Sequence, residues 1–301
     1  MNIDPYKALA MKLDALPQGF PATGDGVELR LLATFFSEEE AQIAAQLKFP
    51  LETAADIAQR TGRDKHELRE NLKGMARRTL IRIGKLNGEL GFGLMPFVVG
   101  IYEGLLGEIS AEQAALFEDY YLRGFSKMLA VEPAVHRVIP VNESVQVDME
   151  IFPYESVSQI VSAGQSWGVM DCICRKQKAQ VGDGCDHPLD VCLTISKKPH
   201  IFDNHETIRA LSRDEALATL RRAADAGLVH SVSNNQRGLH YICNCCTCSC
   251  GILRGMADLG LANVVARSAF VNVVDQELCI GCEECLAFCQ FDALSLNDDF
   301  I

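Results

Sequence analysis

The sequence predicts an α+β protein made of several domains. Its 301 residues are enough for two or three domains with cores of their own. Capping patterns and apolar periodicity predict helices, and shorter strand-like segments lie between them. Thirteen cysteines, the first at position 172, are gathered in the later part of the chain. We therefore expect a helix-rich N-terminal half followed by smaller, cysteine-rich α+β domains.

The first ninety residues predict an arm, a set of short helices and a hairpin. Prolines and glycines interrupt residues 1–26, which are expected to form an arm with turns. Helices are predicted at residues 27–36, 38–47, 53–62 and 67–80. Ser37 and Glu40 form a capping-box pattern, and Asp64 caps the last of these helices. Residues 81–92 then predict two short strands around the turn Asn87-Gly88.

Helices followed by a hairpin are the order of a winged helix-turn-helix, and residues 27–95 resemble that domain. The cations on and beside its DNA-reading helix would be Lys65, Arg69, Lys73, Arg77 and Arg78. The same helix carries acidic residues, and residues 1–100 hold 13 Lys and Arg against 13 Asp and Glu. We therefore favour a domain used for structure or for pairing into a homodimer over one that binds nucleic acid.

Residues 96–152 are predicted to be a helical segment followed by a linker. Helices are expected at residues 96–107 and 111–129. The aromatic residues expected to fill the core rather than bind a cofactor are Phe117, Tyr120, Tyr121 and Phe125. Pro140 and Asn142 interrupt any helix, so residues 138–143 predict an extended linker.

Residues 153–235 predict a small α+β domain that contains the first four cysteines. Helices are expected at residues 155–163 and 216–226, and strands at residues 167–174 and 228–232. Alternation along the first strand would put Cys172 and Cys174 on one face. With Cys185 and Cys192 they could supply four ligands to one site. His187 is expected to be a loop residue, because four thiols already suffice, and Arg175 could donate to this site or be solvated.

The C-terminal cysteines have the most diagnostic spacing in the chain. Cys279, Cys282, Cys285 and Cys289 follow Cys-x2-Cys-x2-Cys-x3-Cys, which is the spacing of a bacterial-type iron–sulfur loop. In proteins with two such clusters the fourth cysteine binds the other cluster, so a partner is required upstream. Five thiols are available there, at Cys243, Cys245, Cys246, Cys248 and Cys250. Thirteen cysteines would then make three four-ligand sites and leave one thiol over.

Residues 236–301 resemble bacterial two-cluster ferredoxins on the strength of this loop. The wider chain resembles multi-cluster 4Fe-4S-binding proteins of anaerobes, through the motifs Cys172-Ile-Cys-Arg, Gly184-Cys-Asp-His-Pro, Cys192-Leu-Thr and Ile242-Cys-Asn-Cys-Cys with Gly251-Ile-Leu-Arg. The resemblance implies bound iron–sulfur clusters and a role in electron transfer, and the cysteine count predicts three [4Fe-4S] clusters. It implies no settled reaction.

Two departures from the ferredoxin pattern affect the ligand assignment. Gln290 stands where proline usually follows the fourth cysteine, and His240 stands where the upstream motif would have its first cysteine. We favour Cys250 as the completion of the cluster on Cys279, Cys282 and Cys285, with His240 the less favoured ligand. Three of the other four upstream thiols would then join Cys289, and spacing does not decide which one is spare.

Other uses of the cysteines are less favoured. A disulfide framework is not expected, because the count is odd and residues 1–25 have no signal-peptide pattern. Zinc remains the alternative at Cys172, Cys174, Cys185 and Cys192, whose spacing is less diagnostic than that of the C-terminal loop. The longest apolar stretch, at residues 94–101, is too short to span a bilayer, so we expect a cytoplasmic protein.

The charge and the motifs favour an electron-transfer protein or subunit. The whole net charge of −12 lies in residues 101–301, which disfavours nucleic acid and favours docking on a basic patch of a partner oxidoreductase. No nucleotide-binding loop or catalytic triad stands out, so no catalytic residue is assigned. Two alternatives remain: a redox-responsive transcription regulator that uses the winged helix, and an enzyme with an open coordination site on one cluster.

Overall fold

The computed structural model describes residues 3–105, 109–139, 157–235, 238–261, 263–266 and 273–296. The chain divides into two compact units, Met1–Met128 and Leu129–Ile301. Each unit combines helices with a β-sheet, which confirms the α+β class. Residues 140–143, most of the predicted linker, lie outside the described residues. No helix in the described ranges combines the length and the apolarity needed to cross a membrane.

The first unit is a helical assembly with a small antiparallel sheet. Its helices are α1 Pro5–Asp14, α2 Val27–Ala33, α3 Glu38–Ala45, α4 Ala54–Thr61, α5 Lys65–Arg77, α6 Ala111–Tyr120 and α7 Ser126–Leu129. Its strands are β1 Glu52–Thr53, β2 Arg82–Leu86 and β3 Glu89–Gly93, in the order β1-β3-β2. The chain order α3-β1-α4-α5-β2-β3 contains the predicted helices and hairpin. Membership of the winged-helix class stays a prediction.

Local signals in this unit act as the sequence predicts. Ser37 and Glu40 cap α3 reciprocally, and the Asp64 carboxylate accepts the first free N–H groups of α5. Asn87 and Gly88 both have positive φ at the turn between β2 and β3, as a tight hairpin turn requires. The predicted aromatic core is also confirmed, since Tyr120 and Tyr121 are fully buried and Phe117 stacks on Tyr102.

Two predictions for this unit are wrong. Part of the expected N-terminal arm is the helix α1, because Asp4 caps it, Pro5 fits its first turn, and Leu9 and Leu13 are buried on one face. Over residues 96–105, the expected helix of residues 96–107 is replaced by a π-type turn, Phe97–Ile101, and a 3₁₀ turn, Glu103–Leu105. Val98 and Val99 in the first turn have extended backbone angles. β-branched residues favour that conformation over a helix.

The second unit is built on a mixed sheet that carries the cysteines. Its strands are β4 His136–Val138, β5 Ser166–Met170, β6 Cys192–Ser196, β7 Arg209–Leu211, β8 Val229–Ser233, β9 Tyr241–Cys245 and β10 Val265–Ala266, in the order β10-β4-β8-β9-β6-β5-β7. Its helices are α8 Val157–Ser162, α9 Ile173–Gln180, α10 Arg213–Asp225, α11 Leu253–Ala257 and α12 Glu284–Phe288. β10 runs parallel to β4, and the other pairs are antiparallel.

The hydrophobic core of this unit lies where α8 and α10 pack on the sheet. Val161, Leu220 and Ile242 are almost completely buried in it. Strand β9 lies between β6 and β8, so residues from both predicted cysteine-containing domains share one sheet. Val138, expected in a linker, instead pairs with Ser231 as the last residue of β4.

The strand expected over residues 167–174 is shorter than predicted. β5 ends at Met170, and Cys172 is the N-cap residue of α9. Cys174, which was expected to share a strand face with Cys172, therefore lies in the first turn of α9. The prediction that a strand presents Cys172 and Cys174 is wrong, although the two thiols do meet, as the next section describes.

Candidate metal centres

Six cysteines meet at one end of the sheet in the second unit. We call this set the central thiol group; its members are Cys172, Cys174, Cys192, Cys243, Cys245 and Cys250. The pairing of the strands brings these cysteines together. Met170, two residues before Cys172, pairs with Cys192 on β6, and β6 pairs in turn with β9, which carries Cys243 and Cys245. Alternation along β9 then presents Cys243 and Cys245 on one face.

These thiols are close enough to affect one another's ionisation. Cys172 interacts with Cys174 and Cys192, and Cys250 interacts with Cys174 and Cys245. Cys172, Cys245 and Cys250 are buried, and the other three are partly buried. The group is thus a concentrated, largely water-excluded set of soft donors, which suits iron or another thiophilic metal.

The thiols differ strongly in acidity. Hydrogen bonds from Cys174 and Cys192, with the charge of Arg175, hold the pKa of Cys172 well below its ordinary value. Its bond to Cys172 raises the pKa of Cys174, and the same holds for Cys192. A bond from Cys245 lowers the pKa of Cys243, but burial and neighbouring thiolates outweigh it and raise the pKa to about 12. Such a group favours a metal, which displaces the protons and takes up the negative charge.

Arg175 supplies positive charge beside the central thiol group. The side chain is only 3% exposed, so the alternative that it is solvated is excluded. Its Nη1 donates to the Pro188 carbonyl at 2.9 Å, and its Nη2 donates to the Asn244 carbonyl at 2.8 Å. Its Nε is buried without a hydrogen-bond partner among the described residues. Burial opposes its charge, but the thiols of Cys172, Cys246 and Cys192 raise its pKa, so it stays a cation.

Two further cations are buried in this unit. Lys178 on α9 is 4% exposed and pairs with Asp183 at 2.5 Å. Arg254 on α11 is 5% exposed and pairs with Asp258 at 2.8 Å. Buried cations are costly unless anions compensate them, and here the carboxylates of Asp183 and Asp258 do so.

The structure contains a second set of donors, none of them a member of the central thiol group. We call it the Cys/His group; its members are Cys185, His187, Cys246 and Cys248, whose ligand atoms all lie within 4.8 Å of one another. Cys185 Sγ is 3.9 Å from Cys246 Sγ, and Cys248 Sγ is 3.5 Å from His187 Nδ1. Cys185 and His187 come from the loop after α9, and the other two from the turn after β9. A buried apolar cluster of Val191, Ala223 and Leu228 surrounds Cys246.

The two thiols at the open side of the Cys/His group differ in acidity. Burial would raise the pKa of Cys185, but hydrogen bonds from Ser249 and His187 outweigh it and lower the pKa to about 6. Burial and a hydrogen bond from Cys246 raise the pKa of Cys248 to about 12.

The spatial grouping differs from the one expected from spacing. Cys185 lies with Cys246 and Cys248 rather than with Cys172, Cys174 and Cys192. Cys245 and Cys246 are neighbours in sequence but belong to different groups, because consecutive residues at a strand end point to opposite faces. The sequence did contain a signal for the Cys/His group, the two short spacings Cys185-x-His187 and Cys246-x-Cys248, but the sequence analysis did not use it. His240 is exposed, bonds to the Gly238 carbonyl at 3.1 Å and lies in neither group.

The C-terminal loop carries its four cysteines near the surface. Cys282 and Cys285 are exposed, and Cys279 and Cys289 are partly buried. Gly281 and Glu283 have positive φ angles and turn the chain before the short helix α12, and Cys289 is the C-cap residue of that helix. The Cys289 sulfur accepts the N–H of Ala293 at 3.3 Å. Cys250, expected to complete this loop's cluster, instead lies with the central thiol group, where it interacts with Cys174 and Cys245.

Gln290 anchors the loop to the rest of the unit. Its Oε1 accepts the N–H of Thr247 at 2.7 Å, and its Nε2 donates to the Gly227 carbonyl. The residue that replaces the usual proline thus joins the loop to the turn that carries Cys246 and Cys248. Sequence reasoning noted the substitution but not this contact.

A hydrogen-bonded chain of polar residues also reaches the central thiol group. Tyr241 bonds to His136 Nε2 at 3.0 Å, and His136 Nδ1 bonds to Ser231 at 3.5 Å. Ser231 Oγ lies 3.7 Å from the sulfur of Cys245. Burial lowers the pKa of His136 to about 4, so the ring is neutral near neutral pH.

Comparison with known proteins identifies the C-terminal loop. A family described as 4Fe-4S binding domain matches residues 272–295, which include all four loop cysteines. No curated protein and no solved structure matches the chain. The loop is therefore a 4Fe-4S binding segment, and the protein has the capacity to carry an iron–sulfur cluster.

Proposed function

We propose that this protein is an electron carrier, or the electron-transfer subunit of an oxidoreductase, which passes low-potential electrons to or from a partner. The observation that carries the proposal is the 4Fe-4S binding loop at Cys279, Cys282, Cys285 and Cys289, close to the surface of a unit that also contains a buried thiol group. An exposed cluster can exchange electrons with a partner, and a buried one can hold them away from water.

The grouping of the thiols supports two [4Fe-4S] clusters rather than three. The first would use all four loop cysteines, with Cys289 as the fourth ligand, because Cys250, the expected fourth ligand, lies with the central thiol group. The second would be held by four of the six members of the central thiol group. The central group fits such a cofactor, because it concentrates soft, buried or partly buried donors and has the Arg175 guanidinium beside it. The cluster supplies the one-electron chemistry, and the chain holds it, excludes water and sets its potential.

Arg175 is the residue we assign to tuning the central cluster. Its unpartnered Nε can donate to a cluster sulfur or a thiolate, and its charge offsets the negative charge gained on reduction. Its two other contacts, to the carbonyls of Pro188 and Asn244, fix the guanidinium in place. Both effects raise the reduction potential relative to an uncharged residue.

The surface around the loop suggests how a partner docks. Leu278 and Ile280 are 78% and 80% exposed on either side of Cys279, and Glu283 and Glu284 follow Cys282. Apolar contacts surrounded by acidic residues fit a partner oxidoreductase that presents an apolar patch with a basic rim. The large negative charge of residues 101–301 would steer the encounter.

The transcription-regulator alternative is less favoured. On the helix that would read DNA, Lys73 pairs with Glu70 at 2.7 Å, and Arg78 pairs with Glu40 at 2.6 Å. Two of the five cations available for phosphate are thus already paired with carboxylates. We propose instead a structural role for the first unit, with homodimer formation as one form of it.

A redox titration of the full chain, purified without oxygen, tests the proposal. The clusters should accept and release electrons reversibly at low potential, and the protein should show no turnover until an oxidoreductase partner is added. Irreversible loss of the iron signal on the first reduction would contradict an electron carrier. Turnover of a substrate by the protein alone would favour the open-site enzyme.

A further inference from the structure

The Cys/His group has the donors and the dimensions of a site for one metal ion. It offers three sulfurs and one imidazole nitrogen, from Cys185, Cys246, Cys248 and His187. Three cysteines with one histidine are a common donor set of structural zinc sites. The ligands come as two short pairs, Cys-x-His and Cys-x-Cys, from two different segments.

The distances match a tetrahedral site. Zinc with Zn–S bonds of about 2.3 Å places two sulfurs about 3.8 Å apart, and a sulfur and a nitrogen about 3.6 Å apart. The structure has 3.9 Å between the sulfurs of Cys185 and Cys246, and 3.5 Å between the Cys248 sulfur and His187 Nδ1. A cubane places a separate iron under each ligand, so its four donors must stand farther apart than those of a single ion.

We propose that the Cys/His group binds one zinc ion, as a site separate from the iron–sulfur clusters. All four coordination positions are filled by the chain, which makes the site structural rather than catalytic. Ser249 Oγ lies 3.4 Å from the Cys185 sulfur and can donate to the thiolate. The buried residues Val191, Ala223 and Leu228 exclude water on the other side.

The ion would join two segments that also hold the central thiol group. His187 precedes Pro188, whose carbonyl accepts a hydrogen bond from Arg175. Cys246 follows Cys245, a member of the central group, and the Cys250 N–H donates to the Cys246 carbonyl at 3.0 Å. The zinc ion therefore fixes the loop that positions Arg175 and the turn that presents Cys250.

The experiment measures zinc, iron and sulfide in the full-length chain, purified without oxygen from cells supplied with both metals. Wild type should contain one zinc ion per chain, and His187→Ala and Cys248→Ser should lose nearly all of it. His240→Ala is the matched control, because this histidine also lies near the cysteines but outside the group; it should keep the zinc. Cys282→Ser should lose iron from the loop and keep the zinc.

A second variant covers the case in which loss of the ion unfolds the chain. His187→Cys should keep the ion. When cobalt replaces zinc, the wild type and His187→Cys should both show the absorption of a tetrahedral site. The two spectra should differ, because the wild type offers three sulfur ligands and the variant offers four. Zinc retained by both His187→Ala and Cys248→Ser, or iron and sulfide lost in place of zinc, would overturn the proposal. A chain with zinc but no redox-active iron would refute the electron-transfer function and leave this site standing.

Discussion

Arg175 Nη2 donates a 2.8 Å hydrogen bond to the carbonyl of Asn244, the residue between Cys243 and Cys245 on β9. This bond fixes a buried cation against the strand that supplies two members of the central thiol group. The contact connects α9 and β9, which lie 69 positions apart in the chain. A charge in this place affects any anionic cofactor that the thiols hold.

Replacing Arg175 with glutamine should lower the reduction potential of the central cluster. Loss of a buried positive charge destabilises the reduced, more negative state, and we expect a shift of at least about 60 mV, a tenfold change in a one-electron equilibrium. Potentiometric titration followed by EPR measures the shift, and iron content shows whether the cluster is retained. Arg175→Lys should shift the potential less, and the exposed Arg221→Gln should not shift it. An unchanged potential in Arg175→Gln with full iron would remove Arg175 from the tuning of the cluster.

Replacing Cys250 with serine separates two ligand assignments. The structure places Cys250 beside Cys174 and Cys245, whereas the ferredoxin pattern assigns it to the loop cluster. If Cys250 is a ligand, we expect Cys250→Ser to weaken the same EPR signal as Cys174→Ser and to leave the signal that Cys282→Ser removes. The opposite pattern would restore the two-cluster ferredoxin arrangement. Full retention of both signals would make Cys250 one of the spare thiols.

Replacing Gln290 with alanine should loosen the C-terminal loop. The change leaves the Thr247 N–H and the Gly227 carbonyl without their partner, at a cost of about 1 kcal/mol, the lower end of the range for buried groups because both bonds are partly buried. Hydrogen exchange at the Thr247 amide should become faster, and the loop cluster should lose iron sooner in air. Gln290→Pro should behave in the same way, although proline is the usual residue there. Glu284→Gln, at an exposed position of the same loop, is the control. Equal hydrogen exchange at Thr247 in the wild type and all three variants would show that Gln290 does not anchor the loop.

Acid should destabilise the second unit as His136 becomes protonated in the unfolded chain. Its folded pKa of about 4 lies below the ordinary value of 6.5, so the neutral ring favours folding fully above about pH 6.5. This contribution, roughly 3 kcal/mol, is lost as the pH falls from 6.5 to 4. Trp167, the one tryptophan of the chain, lies in β5 and reports unfolding of this unit.

The variant His136→Gln should reduce the slope of the free energy of unfolding with pH in that window. His200→Gln is the control, because His200 is 81% exposed in its side chain. The pKa of His230 is also lowered by burial, so part of the slope should remain in His136→Gln. An unaltered slope would show that folding does not lower the pKa of His136.

Local features of the fold were predictable because they depend on neighbours in the sequence. The capping box at Ser37 and the Asn87-Gly88 turn both involve residues within three positions of each other. The helix α1 was missed because the prolines and glycines that follow it were taken as evidence that all of residues 1–26 form an arm with turns. Its cap at Asp4 and its buried leucines were visible in the sequence.

The grouping of the cysteines was not predictable from spacing. It depends on which strands pair: β6 next to β9 brings Cys192 to Cys243, and the end of β9 separates Cys245 from Cys246. The loop at Cys279–Cys289 could be identified from sequence, because its ligands are local. The buried position of Arg175 needed the fold, since both of its acceptors come from other segments.

The central claim is that the chain carries a loop cluster and a buried central cluster, and it is tested most directly by the metal content of protein purified without oxygen. Iron, acid-labile sulfide and zinc are measured per chain, followed by EPR after reduction with dithionite. We predict about eight iron and eight sulfide, with the zinc ion counted separately and two [4Fe-4S] signals. About twelve iron and twelve sulfide would restore a third cluster at the Cys/His group. About four iron, with the central thiol group free or holding zinc, would contradict the account.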